Sequence, residues 1–205
     1  MLFRSEVKYV PNIDPAAGRA SVTFEIAESP KTRIKEVEFD GAYTFSQSKL
    51  RKTIKTRRRW MFSWLTGSGT LKDDQIEDDK EKLADFYREH GFIDFELKQL
   101  HYDYDGPKKV NLRWEINEGQ RYRVGEVKFK GITLFPENEL RSVMAMDNGF
   151  LFTPKGLHRD IDAIQDYYGA KGYVDVRVVA RKNANVQTGT MDLVFEVEEI
   201  GRAHV

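Results

Sequence analysis

Arg33-Ile-Lys-Glu-Val-Glu-Phe-Asp-Gly41 returns as Arg123-Val-Gly-Glu-Val-Lys-Phe-Lys-Gly131. This pair decides the fold, because a chain that repeats itself builds the same small unit more than once. The register runs on without a gap: Phe45 meets Phe135, Leu50 meets Leu140 and Arg51 meets Arg141. A second block follows at a shorter offset, pairing Asp79 with Asp160, Asp85 with Asp166, Tyr87 with Tyr168, Gly91 with Gly172 and Asp94 with Asp175. A third block pairs Leu112-Arg-Trp-Glu-Ile116 with Leu193-Val-Phe-Glu-Val197. The change of offset puts an insertion of about nine residues into the first copy, within Thr56–Leu71. Val22-Thr-Phe-Glu-Ile26 and Glu28 align with Leu112–Ile116 and Glu118, as the tail of one more copy. The chain therefore divides into the C-terminal part of a preceding unit (1–30), a full unit (31–118), a second full unit (119–199) and a short tail (200–205). The junctions Ser29-Pro30-Lys31 and Glu118-Gly119-Gln120 are too short to be flexible linkers, so neighbouring units should abut.

Within a unit the hydrophobic period changes twice. Val37 and Phe39 against Glu36 and Glu38 give a short first strand, matched by Val127 and Phe129. Helical spacing follows: Leu50 and Ile54 over 46–55, Leu140 and Met144 over 136–144, then Ile76, Leu83, Phe86 and Tyr87, matched by Leu157, Ile161, Ile164 and Tyr168. Thr153-Pro154 reads as an N-cap followed by proline at the first helical position. Gly91 and Gly172 stand just past the long helices, where a left-handed residue is common. Strict alternation returns at Val110, Leu112, Trp114 and Ile116, and at Met191, Leu193, Phe195 and Val197. Another strand is expected over 93–100, with Ile93, Phe95 and Leu97 on one face and Asp94, Glu96 and Lys98 on the other; its counterpart is expected over 174–181. Each unit is thus α+β, in the order β-α-α-β-β, with two helices packed on a three-stranded mixed sheet.

The order Phe-x-Gly, helix, Asp-x-x-x-(Ile/Leu)-x-x-(Phe/Tyr)-Tyr, Gly-(Phe/Tyr)-(Ile/Val)-Asp and a strand ending in Glu resembles the POTRA repeat of the BamA class of outer-membrane assembly proteins. The residues are Phe39-Asp40-Gly41, Asp79 to Tyr87, Gly91-Phe92-Ile93-Asp94 and Glu118 in one copy. In the other they are Phe129-Lys130-Gly131, Asp160 to Tyr168 and Gly172-Tyr173-Val174-Asp175. The segment Arg57-Arg-Arg-Trp-Met-Phe-Ser-Trp64 is similar to the tryptophan-bearing loop of the third such domain, which makes the chain the end of the second, the third and the fourth. The resemblance implies a periplasmic scaffold tethered to the outer membrane by a C-terminal β-barrel of the same polypeptide. It also implies chaperone-like binding of unfolded outer-membrane proteins and of assembly-machine lipoproteins. The predicted means is edge-strand pairing along Ile93, Asp94, Phe95, Glu96, Leu97 and Lys98, with Arg58, Trp60 and Trp64 as a second contact. Gly41, Gly91, Gly131, Gly172, Tyr87, Tyr168 and Trp114 are assigned structural roles. A two-partner secretion transporter carries the same kind of repeat and is the alternative within the fold.

Composition narrows the chemistry. Lys+Arg and Asp+Glu both total 33, so no net field draws in nucleic acid or anionic lipid. There is no cysteine, which removes disulfides, thiolate metal sites and a cysteine nucleophile. No apolar run approaches the length needed to span a bilayer. His90, His101, His158 and His204 lack metal-ligand spacing, and His90 is expected to serve the end of its helix. Gly67-Ser-Gly-Thr70 lacks the Gly-Lys of a phosphate loop, and the pairs Asp73/Asp74 and Asp78/Asp79 read as solvated helix surface. The expectation is a non-enzyme without cofactor or metal. An RNA-binding module using the Arg57–Trp64 loop is the alternative from another class, since arginines beside tryptophans could grip phosphates and stack bases. The acidic helix beside that loop speaks against nucleic acid. Both ends read as translated sequencing adapters, Leu2-Phe-Arg-Ser5 and Glu199-Ile-Gly-Arg-Ala-His-Val205, so 200–205 is expected to be a non-native tail on a piece of a longer gene product.

Overall fold

The computed structural model describes residues 6–14, 19–27, 32–57 and 69–201. The first described element is an antiparallel hairpin of β1 (Glu6–Asp14) and β2 (Arg19–Ala27). The first full unit follows as β3 (Arg33–Asp40), α1 (Gln47–Thr53), α2 (Asp73–Arg88), β4 (Glu96–Tyr104) and β5 (Lys109–Asn117). The second repeats the order as β6 (Arg123–Lys130), α3 (Glu137–Val143), α4 (Pro154–Ala170), β7 (Asp175–Asn185) and β8 (Thr190–Gly201). The sheets are ordered β3-β5-β4 and β6-β8-β7, with the first pair parallel and the second antiparallel. Among the described residues no helix is long and apolar enough to cross a membrane.

The last strand of each unit is central because it carries the most apolar face. Val110, Leu112, Trp114 and Ile116 are all buried, as are Met191, Leu193, Phe195 and Val197. The register repeats at residue level. Phe39 lies opposite Trp114 with ring centroids 6.0 Å apart, and Phe129 lies opposite Phe195 at 5.4 Å. Removing one such large side chain from water is worth about 1.5–3 kcal/mol, so these pairs anchor each core. The helices cover this face through Ile76, Leu83 and Tyr87 in α2 and through Leu157, Ile164 and Tyr168 in α4. Thr153 Oγ1 accepts the Gly156 amide at 3.0 Å with Pro154 in the first turn, and Ser46 Oγ accepts the Lys49 amide at 3.3 Å.

Two sequence expectations need correction. The strand expected over 93–100 begins only at Glu96, and Ile93, Asp94 and Phe95 form a turn instead. Its counterpart, expected over 174–181, starts at Asp175 and runs on to Asn185. The alternation of Ile93, Phe95 and Leu97 misleads because Ile93 is covered by the second unit's core, whereas Phe95 and Leu97 both pack on the first. Ile93 packs on the second unit's core, Phe95 stacks on Tyr87 at 4.3 Å between centroids, and Leu97 packs on the first core. A bulge between Leu97 and Gln99 then takes Lys98 out of register, and the inward set continues as Leu100 and Tyr102.

Candidate functional site

A three-stranded sheet leaves two edges, and the structure treats them differently. On β3, Gln47 clamps the outer backbone of Phe39, accepting its amide at 2.9 Å and donating to its carbonyl at 2.7 Å. Arg51 Nε donates to the Val37 carbonyl at 2.8 Å. Three hydrogen-bonding groups at the C-terminal half of that edge are thus held by side chains of the same unit. The second unit repeats the arginine half of the latch, from Arg141 to Val127, while Glu137 replaces the glutamine and bonds Arg141 instead. The opposite edges, β4 and β7, carry no such latch among the described residues. An unpaired edge of this kind offers a row of amides and carbonyls to an incoming strand.

Beside each open edge lies a groove against the long helix. Along β4 it holds about 750 Å³ and is lined by Lys80, Ala84, Arg88, Phe95, Leu97 and Leu100 among others. In the second unit the groove of about 630 Å³ lies between the long helix and the turn before β7, lined by Gln165, Asp166, Gly169, Ala170, Tyr173 and Val174, and reaches the strand at Val176. Glu96 and Lys98 face solvent at the first edge and Leu97 is half-buried. Ile93, Asp94 and Phe95, expected on the same edge, stand outside it: their turn meets the next unit. Tyr122 Oη donates to Asp94 Oδ2 at 2.6 Å, which pushes the phenol pKa up to about 12 through that hydrogen bond and then burial. Arg58, Trp60 and Trp64 lie outside the described residues. Arg57, at the start of that loop, donates to the Ile54 carbonyl at 3.3 Å and the Lys52 carbonyl at 3.4 Å, closing the end of α1.

The residues assigned structural roles hold each unit's corners. Gly41 and Gly131 have φ of +84° and +77°, and a Cβ on either would lie 2.2 Å from the carbonyl oxygen of Ile116 or Val197. Gly91 and Gly172 both have φ +89° just past their helices. Tyr87 and Tyr168 end in paired carboxylate sites. Glu118 accepts the Tyr43 and Thr44 amides at 3.2 and 3.1 Å, the Thr44 hydroxyl at 2.7 Å and the Tyr87 hydroxyl at 2.9 Å. Glu199 accepts the Thr133 and Leu134 amides at 3.1 and 3.3 Å, the Thr133 hydroxyl, and the Tyr168 hydroxyl at 2.7 Å. Burial, and then the bond to the carboxylate, raises both phenols. At Glu199 burial works upward, but the bonds from Thr133, Tyr168 and Leu134 outweigh it and hold the carboxyl below its ordinary value.

Sequence reasoning missed one pair of residues. Asp79 was expected on a solvated face with Asp78; Asp78 is exposed, but Asp79 is fully buried. Its two oxygens accept the amides of Lys55 and Thr56 at 2.7 and 2.6 Å, while Asp160 accepts those of Ala145 and Met146 at 2.7 and 3.1 Å. Each aspartate satisfies the chain leaving the short helix and ties it to the long one. Burial raises the Asp160 pKa, with those amides pulling the other way. The signal was available, since the two positions match in the repeat. Three histidines make local contacts: His90 Nδ1 lies 2.7 Å from the Phe86 carbonyl, His158 Nδ1 lies 2.9 Å from that of Pro154, and His101 pairs with Glu115 at 3.2 Å; His204 lies outside the described residues.

Fold and edges together define a tandem β-α-α-β-β arrangement in which an arginine holds a carbonyl on the outer edge of β3 and of β6, and no such bond is found on β4 or β7 among the described residues. The family model described as "POTRA: Surface antigen variable number repeat" matches residues 32–119 and 122–200. The chain belongs to the POTRA family. It is 24% identical over 216 residues to an outer membrane protein assembly factor BamA of Nitratidesulfovibrio vulgaris, covering 100% of this chain and 27% of that protein. It is 27% identical over 185 residues to the protein of the same name from Neisseria meningitidis serogroup B, covering 89% of this chain and 23% of that one. The chain thus spans about a quarter of the length of these curated relatives. Among solved structures, Haemophilus influenzae BamA POTRA3-5 superposes with a TM-score of 0.58 at 19% identity, covering 84% of this chain and 67% of that one, a likeness of fold.

Proposed function

We propose that this chain is a periplasmic scaffold module of an outer-membrane β-barrel assembly machine, and that it receives extended polypeptide on the open edges of β4 and β7. The observation that carries the reading is the asymmetry of the sheet: Gln47 and Arg51 occupy the β3 edge, while β4 is left with a groove beside it. The names of the relatives support the assembly machine, and a C-terminal β-barrel of the same polypeptide is the tether that this reading places at the outer membrane. Unfolded outer-membrane proteins are the clients, since strand pairing through backbone groups tolerates many sequences, and assembly lipoproteins are the folded partners. Glu96 and Lys98 flank the edge as charges that discourage uncontrolled sheet growth, and the Lys98 bulge does the same.

Backbone pairing with a short peptide, opposed by its ordering entropy, places the affinity on the order of micromolar to millimolar. The test is amide-shift mapping with an alternating apolar peptide added to the isotope-labelled chain. Shifts should run along Gln99–Tyr104 in β4 and Arg177–Asn185 in β7. The same peptide N-methylated at alternate residues should lose the effect, because it can no longer donate to an edge. Shifts confined to the surroundings of Arg57, with both strands silent, would sink the reading and move the site to the tryptophan-bearing loop.

A further inference from the structure

The short helix of each unit ends in a corner of the same shape, and the two corners are charged differently. The buried aspartates fix the equivalence. Asp79 holds the amides of Lys55 and Thr56 where Asp160 holds those of Ala145 and Met146, so Arg57 and Asp147 come next at matched positions. In the second unit the corner neutralises itself. Arg141, which holds the Val127 carbonyl, is paired with Glu137 at 2.6 Å and with Asp147 at 3.7 Å. The first unit keeps the arginine and lacks both carboxylates. Arg51 holds the Val37 carbonyl at 2.8 Å, but Gln47 stands in the place of Glu137, Arg57 in that of Asp147 and Lys52 in that of Ser142.

The surplus charge surrounds a cavity of about 290 Å³, lined by Glu36, Ser48, Arg51, Lys52, Thr56 and Arg57 among others. Three cations face one carboxylate there, and none of the three forms an ion pair among the described residues. Arg51 gives only its Nε to Val37, and Arg57 gives Nε and one terminal nitrogen to the carbonyls of Ile54 and Lys52. These bonds seat the two guanidinium groups without neutralising them. The adjoining chain cannot do so either: residues 57–71 contain no aspartate or glutamate, and Arg58 and Arg59 add charge of the same sign.

We propose that this cavity binds the carboxylate of an aspartate or glutamate on a partner polypeptide, the group that Asp147 supplies from within the second unit. A guanidinium offers parallel N–H donors that match the two oxygens of a carboxylate, and Arg51 and Arg57 bring two of them to one cavity, with the Lys52 ammonium beside them. The site lies on the β3 side of the sheet, where side chains already hold the backbone, so it asks for a charge and not for an open row of amides. It is therefore independent of pairing along β4 and β7.

The test titrates the isotope-labelled chain with a capped peptide of glycine and serine around two adjacent aspartates, against its asparagine twin at the same ionic strength. The amides of residues 48–57 and the Nε–H groups of Arg51 and Arg57 should shift with the aspartate peptide, with an affinity on the order of millimolar, and stay still with the twin. Arg57→Asp gives the first unit the residue of the second and should weaken binding by roughly tenfold or more. Lys52→Ser, at an exposed position, should weaken it by roughly threefold. Unmoved core amides around Trp114 show that either variant is folded. Equal shifts from the two peptides, or binding that survives both substitutions, overturn the proposal. So does inorganic phosphate, or a vesicle of anionic phospholipid, that produces these shifts at lower concentration than the peptide, because the site would then belong to a phosphate group. Shifts from the aspartate peptide confined to β4 and β7 overturn it too, and leave the edge reading standing.

Discussion

The two full units share sheet order and buried carboxylates but differ in capping and at one sheet edge: Ser46 caps the short helix of the first unit and Thr153 the long helix of the second, while their counterparts start without a side-chain cap. The turn Gly91–Asp94 is covered by Tyr122 and Leu151, whereas a Cβ on Gly172 would meet nothing within 4 Å among the described residues. Strand β4 is bulged at Lys98, whereas β7 pairs with β8 regularly from Val176 to Asn185. Both β3 and β6 have a carbonyl held by an arginine, but only the first unit adds the glutamine clamp at Phe39. The shared positions are those that fold the unit, and the differing ones are those that decide its neighbours. Comparing matched residues therefore separates the two roles without reference to any other protein.

The largest effect should come from the matched aromatics. Trp114→Ala should cost about 3–5 kcal/mol by chemical denaturation, and Phe195→Ala a similar amount. Both side chains are fully buried on the central strand. Trp114→Phe should cost far less than the alanine, on the order of 1 kcal/mol, because the indole N–H finds no acceptor among the described residues and no hydrogen bond is lost. A Trp114→Phe penalty as large as that of alanine would show that the indole makes a contact that Phe195 lacks.

Next come the buried aspartates. Asp79→Ala and Asp160→Ala each strand two backbone amides and should cost about 2–3 kcal/mol. The Lys82 ammonium, 3.4 Å from Asp79, is half-exposed and should add little to the first. A difference above about 1 kcal/mol between the two would break the equivalence of the units.

The glycine pair sharpens the contrast at the turns. Both alanine variants bear the strain of a left-handed residue, about 1 kcal/mol. Gly91→Ala must also displace Leu151, so it should be the costlier by about 1–2 kcal/mol, while Gly172→Ala meets nothing within 4 Å among the described residues. Equal melting temperatures for the two would mean that Leu151 moves aside freely.

The smallest effect is in pH. The Glu199 carboxyl is held below its ordinary value in the fold, so its contribution is complete above the unfolded pKa, roughly 4.3. It is lost as pH falls through the lower folded value. Glu199→Gln should flatten this part of the acid limb of a stability-against-pH curve and leave the curve near neutrality shaped as before. An unchanged acid limb would place the coupling elsewhere.

Much of this was legible in the sequence because a repeat shows each position twice. Alternation at 110–116 and 191–197 marks the central strands, and Thr153-Pro154 marks a helix start, since both signals are local. The β4 boundary was misread because alternation reports only that a residue is covered, and Ile93 is covered by another unit. Asp79 was misread because an aspartate on a charged helix looks solvated until the chain leaving α1 is folded against it.

By itself the sequence determined the number of units, their element order, the inward face of the central strands, and the glycines that let the chain turn past each helix. These depend on period and on backbone sterics, which act over a few residues. The tertiary structure alone decided which sheet edge side chains hold, that Asp79 is buried and that Tyr122 comes to cover the Gly91 turn. Those depend on partners such as Gln47, Thr56 and Tyr122, and these meet Phe39, Asp79 and Asp94 only when hydrogen-bonding groups shut away from water must find one another.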